Sequence, residues 1–373
     1  MKIAFYNIEN IYHRDAGLVE QSVSRSIKLW IEEFETHLRK DTRTDRDYER
    51  MRELSFLLGF QQVAYEPYVV MRRRRGQLYI RKRGNTLDYK ANTLTDWNGW
   101  IKFGTRPITE KGTANKARVI SDINPDVMLL QEIEDRTSLV DFNDHYLSAS
   151  KETGYGSFTI LEGNSYRGLE MALLTKPGYR VLSVRSYNIT IDGGPLFDRD
   201  LQEYVIETPS GKHIYWLSAV LHKPAANRNW SDSRRKMQAR HIAKIYHGLR
   251  KEGAAHVIVA GTFYAPFYSE ALTPLFRETD LKDITKHPSF RAEMDRGKDG
   301  SYFRLGAYRL GVNIQQQDYL MLSPALFRRV KTSGLNRKGM WPKNRSQWEV
   351  YDTVKSDIEA ASRHPLLWCT IDF

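Results

Sequence analysis

The run Val257-Ile258-Val259-Ala260-Gly261 is apolar without interruption. A strand with one face in water alternates apolar and polar side chains, so an unbroken run that ends at a glycine marks a strand covered on both faces and leading into a turn. Further strands are expected at Lys2 to Ile8, Asp126 to Gln131, Ser157 to Leu161, Glu170 to Thr175, Tyr179 to Ile189, Glu203 to Glu207, His213 to Leu221, Asp318 to Leu322 and Leu366 to Asp372. Helical periodicity is expected at Ser22 to Leu38, from Asp45 to Leu58, at Ala117 to Ile123 ahead of the breaker Asn124-Pro125, and at Ser231 to Lys251 behind a serine or aspartate cap. Strand-rich segments with helices between them, and neither a repeat nor a low-complexity linker, predict one α/β domain over residues 1–373 with two packed sheets.

The formal charge of +12 favours acidic partners: a phosphorylated ligand, nucleic acid or an anionic surface. Tyr68 to Met71 and Leu78 to Arg81 flank Arg72, Arg73, Arg74 and Arg75, which reads as a hairpin with a basic tip, either a solvated turn or a grip on phosphates. Cys369 is the single cysteine, so an intrachain disulfide is excluded and a reducing compartment is expected. Met1 to Asn10 reads as a strand and not as a signal peptide, and no run of about 18 apolar residues spans a bilayer. The expectation is a cytoplasmic protein with no membrane partner, its oligomeric state left open.

Several strand ends carry polar residues in a recognisable order. Phe5-Tyr6-Asn7-Ile8-Glu9-Asn10, Leu129-Leu130-Gln131-Glu132-Ile133-Glu134, Arg167-Gly168-Leu169-Glu170-Met171-Ala172, His222, the Gly261 turn, Gln316-Gln317-Asp318-Tyr319 and Ser362-Arg363-His364-Pro365 together resemble the motifs of the endonuclease/exonuclease/phosphatase superfamily, across the whole chain. The resemblance implies a four-layer α/β sandwich, two packed mixed sheets flanked by helices, with these residues collected at one end.

It also implies roles. Asn7 and Glu132 match the family's metal motifs, and one carboxylate with an amide and waters is an adequate magnesium site. Glu9 is a further ligand, a supporting group or a salt-bridge partner. His364 with Asp318 resembles the family's histidine–carboxylate pair, His222 stands where deoxyribonuclease-like members carry another catalytic histidine, and Glu170 takes the place of a supporting acid.

Other positions depart from the pattern. Thr262 and Tyr264 stand where the family has the aspartate and asparagine of Gly-Asp-x-Asn, which removes a carboxylate able to accept a proton from water. Arg363 replaces an aspartate beside His364, a change that weakens magnesium binding, favours an anionic ligand without metal, or simply turns a side chain into solvent. Phe263, Tyr264, Phe267 and Tyr268 would make the cleft floor aromatic. The departures cluster at the site, which reads as a site overwritten by natural change or by engineering. Three functions follow: an attenuated metal-dependent phosphoester hydrolase; a rebuilt pocket for other chemistry, in which Lys223 is an amine nucleophile with Tyr264 or His222 as proton shuttle; or a nucleic-acid-binding module using Arg72 to Arg75, Lys82, Arg83, Arg234, Arg235 and Lys236.

Overall fold

The computed structural model describes residues 1–11, 22–40, 42–57, 65–66, 69–75, 79–81, 87–89, 98–103, 109–133, 136–148, 154–161, 169–191, 194–292, 316–342 and 348–373. Contacts divide the chain into two compact units: Met1–Ile11 with Glu110–Ser165 and Leu169–Phe373, and Tyr12–Thr109 with Tyr166–Gly168.

The larger unit holds two sheets. Its strands are β1 (Lys2–Asn7), β2 (Val127–Ile133), β3 (Ser157–Leu161), β4 (Glu170–Thr175), β5 (Arg180–Tyr187), β6 (Leu201–Glu207), β7 (His213–Val220), β8 (Val257–Thr262), β9 (Lys282–Asp283), β10 (Phe290–Arg291), β11 (Asp318–Leu322), β12 (Val330–Asn336) and β13 (Leu366–Ile371). A seven-stranded sheet runs β10-β12-β13-β1-β2-β4-β3 and a six-stranded sheet runs β5-β6-β7-β8-β11-β9. Parallel pairs, β1 with β2 and β7 with β8, lie inside otherwise mostly antiparallel sheets.

Alternation along the central strands explains the unbroken apolar runs. Ile3, Phe5, Val127, Leu129, Ile258 and Ala260 point into the core shared by the two sheets. Their neighbours Ala4, Tyr6, Met128 and Leu130 pack with Val119 and Ile120 of the Glu110–Ile123 helix. Val257 and Val259 pack on the other side against Ala239, Ile242 and Tyr246 of the Arg228–Lys251 helix. Helix, sheet, sheet and helix thus form the four-layer sandwich expected from the motifs, because a strand with layers on both sides can spare no polar face.

Gly261 lies within β8 and not in the turn beyond it, opposite Ala219 of β7. A Cβ there would fall 1.8 Å from the Ala219 carbonyl oxygen, so close approach of neighbouring backbone demands glycine. The long helix begins earlier than the sequence signal, at Arg228, capped by Asn227, whose Oδ1 accepts the Trp230 N–H at 3.1 Å.

In the smaller unit the Ser22–Leu38 helix is as expected, and a second helix spans Asp45–Leu57. Among the described residues the hairpin with an arginine tip is not found. Arg72 to Arg75 lie inside strand Val69–Arg75, which pairs with Tyr65–Glu66 and Asn98–Phe103, while Tyr79–Arg81 pairs with Leu87–Tyr89. The Asn98–Phe103 partner had not been recognised, and without it the arginine run reads as a turn. Lys82 and Arg83 lie outside the described residues.

Candidate active site

The parallel pairs β1–β2 and β7–β8 set where the polar strand ends meet. Asn7 at the end of β1 lies opposite Gln131 of β2, and Thr262 at the end of β8 lies opposite both Val220 of β7 and Asp318 of β11. Hydrogen bonds then join the sheets. Asn7 Nδ2 donates to Thr262 Oγ1 at 3.1 Å, the Thr262 N–H donates to Gln131 Oε1 at 3.2 Å, and Gln131 Nε2 reaches Ser218 Oγ and the Ala219 carbonyl at 3.1 Å.

Four of the five described non-glycine residues with positive φ lie at this end: Glu9 at 49°, Asn10 at 76°, Glu132 at 66° and Tyr264 at 51°. A left-handed side-chain-bearing residue costs about 1–2 kcal/mol, and a cluster of them marks backbone held for a purpose other than stability. Glu132 owes its conformation to a bulge, since Gln131 pairs with Met171 while Ile133 already pairs with Glu170. The bulge swings Glu132 out of the strand alternation and aims its carboxylate into the site.

That carboxylate is buried between cations. Arg199 Nη2 donates to Oε1 at 3.0 Å, and Lys223 Nζ lies 3.8 Å from the same oxygen. Burial would raise its pKa, but Arg199, Lys223 and His364 together bring it down to about 2. Arg199 is itself buried, and its Nη1 has no hydrogen-bond partner among the described residues. It had not been anticipated. The segment Phe197-Asp198-Arg199-Asp200 looks like an ordinary charged loop, and no spacing signal ties it to Glu132.

His364 and Asp318 meet as the resemblance implies. His364 Nδ1 is 2.9 Å from both Asp318 oxygens, and Thr262 Oγ1 donates to Asp318 Oδ1 at 2.8 Å. Burial disfavours the charged ring, yet Asp318, then Glu9 and Glu132, outweigh it and raise the pKa to about 9. The loop carrying His364 is braced from below: Ser362 Oγ donates to the Asn7 carbonyl at 2.7 Å and accepts the His364 N–H at 3.0 Å, and the Arg363 N–H donates to Glu9 Oε2 at 2.7 Å. Buried Lys116, likewise unforeseen, donates to the carbonyls of Ile8 and Ala361, and burial lowers its pKa to about 8 against the pull of Glu9 and Glu132.

His222, next in the chain to Lys223, has its own acid, Asp198, whose Oδ2 is 2.5 Å from Nδ1, and Trp230 lies edge-on to its ring at 4.9 Å. Glu170 is buried at the start of β4, opposite Ile133 just past the bulge. Tyr264 is close enough to the charges for burial and then Glu132 to raise its phenol well above the ordinary value, and its hydroxyl has no hydrogen-bond partner among the described residues.

Other expectations give way. The Arg363 guanidinium is 62% exposed and pairs with Asp357 at 3.2 Å, so the outward reading holds and its charge is spent away from Glu132. Of the expected aromatic floor, Phe263 is fully buried against Tyr319, while Phe267 is half-buried beside Phe276 and Tyr268 stands exposed against its edge. Lys223 is 49% exposed and beside a carboxylate, which removes the burial that an amine nucleophile requires. The basic helix is bound internally, Arg234 to the Pro195 carbonyl, Arg235 to the His222 carbonyl at 2.8 Å and Lys236 to Glu270 at 3.6 Å.

The donor set does not fit magnesium. Among the described residues no three His, Cys, Asp or Glu side chains gather as a metal group. Of the implied ligands, Glu132 Oε1 is already engaged by a guanidinium and an ammonium, and Asn7 Oδ1 accepts the Glu9 N–H at 3.1 Å. A divalent ion on Glu132 would face two positive charges at contact range.

No protein-family model matches the chain, and no curated protein is significantly similar to it. Similar solved structures include an endonuclease/exonuclease/phosphatase from Bacteroides vulgatus, 14% identical over 70% of this chain and 91% of that one with a TM-score of 0.48. A mannosyl-6-phosphatase from Bacteroides thetaiotaomicron is 13% identical over 70% and 92%, with a TM-score of 0.45. The human Nocturnin catalytic domain is 13% identical over 70% and 87%, with a TM-score of 0.47. Among the described residues no helix is long and apolar enough to cross a membrane.

Proposed function

We propose that the protein is a phosphoester hydrolase that acts through the acid and electrostatic half of the reaction, on a phosphorylated small molecule or a nucleic acid. The observation that carries this reading is the buried His364–Asp318 pair, with Nδ1 2.9 Å from both carboxylate oxygens. Asp318 fixes the Nδ1 proton and leaves Nε2 for the substrate. With a pKa of about 9 the ring is cationic at neutral pH, so it can donate a proton to the leaving oxygen. As that P–O bond breaks, a water oxygen bonds to phosphorus, the Nε2 proton passes to the alcohol released, and the proton lost by the water goes to solvent.

Thr262 cannot take that last proton. It is a neutral hydroxyl already donating to Asp318, and loss of general-base assistance slows such reactions by about a hundred- to ten-thousand-fold. Weak turnover is therefore expected. The test is hydrolysis of bis(p-nitrophenyl) phosphate, p-nitrophenyl phosphate and DNA by the wild-type protein and by His364→Asn. Turnover that falls at least a hundredfold in the variant supports the reading. No turnover on any of the three, or an equally active variant, rejects it.

A further inference from the structure

We propose that Arg199 and Lys223 occupy the place at Glu132 that a divalent cation would hold, so that the site binds the phosphate dianion of a phosphomonoester on protein cations and without metal. The proposal deepens the reading above and rests on it for the choice of ligand, but its metal independence is a separate claim.

Arg199 is a built residue and not a stray one. Its segment is tied down by the long helix, through Arg234 Nη2 to the Pro195 carbonyl at 2.6 Å and Gln238 Nε2 to the Leu196 carbonyl at 3.0 Å. Leu196 and Phe197 are buried in the core under that helix, so the chain that follows has little freedom in where it delivers the guanidinium. The guanidinium, only 8% exposed, uses Nη2 on Glu132 and leaves Nη1 buried without an acceptor among the described residues. An arginine fork suits two acceptors side by side, and here one oxygen is supplied by the protein.

A second donor waits nearby in the same condition. The Tyr264 hydroxyl is also buried without a hydrogen-bond partner among the described residues, and Lys223 Nζ lies 5.3 Å from the centre of its ring. Leaving buried donors unpaired is unfavourable. Two of them beside one carboxylate, with a half-exposed ammonium at the same place, call for a ligand whose atoms are all acceptors. Phosphate oxygens meet that requirement, and a monoester presents three terminal oxygens to the three donors, Arg199 Nη1, the Tyr264 hydroxyl and Lys223 Nζ, where a diester presents two.

The test is calorimetric titration of inorganic phosphate, phenyl phosphate and dimethyl phosphate, each in EDTA and in magnesium. It uses the wild-type protein, Arg199→Met, Arg199→Lys, Glu132→Gln and the double variant Arg199→Met/Glu132→Gln. The double variant removes both charges together, so it guards against a single change that fails to fold. The expected result is phosphate and phenyl phosphate binding of equal strength in EDTA and magnesium, at least tenfold tighter than dimethyl phosphate. Arg199→Met and the folded double variant should weaken it at least tenfold, and Arg199→Lys, which lacks the fork, should fall between. Binding that appears only with magnesium, is lost in Glu132→Gln and is unmoved by Arg199→Met overturns the proposal, as does absence of phosphate binding in both buffers. Metal-free phosphate binding without any hydrolysis would instead sink the hydrolase reading and leave this one standing.

Discussion

Replacing His364 with asparagine should remove a stabilisation that depends on pH in a defined direction. The ring is 11% exposed and its pKa rises from 6.5 to about 9 in the folded protein. At about 1.4 kcal/mol per tenfold, that rise corresponds to roughly 3 kcal/mol of coupling between protonation and folding, with burial opposing and the acids prevailing. Because the folded value lies above the unfolded one, the contribution is complete below about pH 6.5 and is lost as pH rises through 9. Urea unfolding of wild type and His364→Asn should therefore show a stability gap that is widest near pH 6 and has closed by about pH 10. A ring-proton NMR titration gives the midpoint directly, expected near 9 in wild type and well below that in Asp318→Asn, where the main acid is gone while burial remains. A gap that stays constant from pH 6 to 10, or a wild-type midpoint below 7, would refute the argument that Asp318 holds this ring charged.

Three further outcomes are expected. Thr262→Val keeps the shape but leaves Asn7 Nδ2 and an Asp318 lone pair unpaired, and should cost about 1–3 kcal/mol in urea unfolding. Gly261→Ala forces a Cβ to within 1.8 Å of a carbonyl oxygen, so the thermal midpoint should drop steeply or soluble protein should be lost. Arg363→Ala removes only an exposed pair with Asp357, worth about 0–1 kcal/mol, and should leave phosphate binding unchanged within twofold.

Much of the framework was legible because it follows from local chemistry. Apolar runs at Ile3–Tyr6, Val127–Leu130 and Val257–Gly261 mark strands with layers on both sides, and the order of polar residues at their ends brought Asn7, Glu132, Asp318 and His364 to one place. What stayed hidden depends on contacts remote in sequence. Arg199 reaches Glu132 from 67 residues away, and Lys116 reaches the Ala361 carbonyl from 245 away, with no periodicity to announce either. The bulge at Glu132 and the direction of Arg363 were illegible for a related reason, since each is decided by what lies opposite. The strand Val330–Asn336 was missed because Lys331, Thr332, Ser333 and Gly334 break its apolar pattern.

The threonine at 262 and the two cations on Glu132 make sense together. Thr262 Oγ1 accepts from Asn7 Nδ2 and donates to Asp318 Oδ1, so the position needs a group that does both. An ionised aspartate accepts only, and placed there it would confront Asp318 with no proton between two buried carboxylates. A divalent cation nearby is what makes such crowding of acids tolerable. Here the compensation at Glu132 comes from a guanidinium and an ammonium, each carrying a single charge and lying on the Glu132 side of the site. Giving up the metal therefore requires giving up an acid, and the residue that fills the gap must be neutral, small and amphoteric in its hydrogen bonding. Threonine meets all three conditions. The hydroxyl that departs from the motif is then the part that lets the His364–Asp318 pair persist without an ion, and aspartate placed at 262 alone should destabilise the site and not repair it.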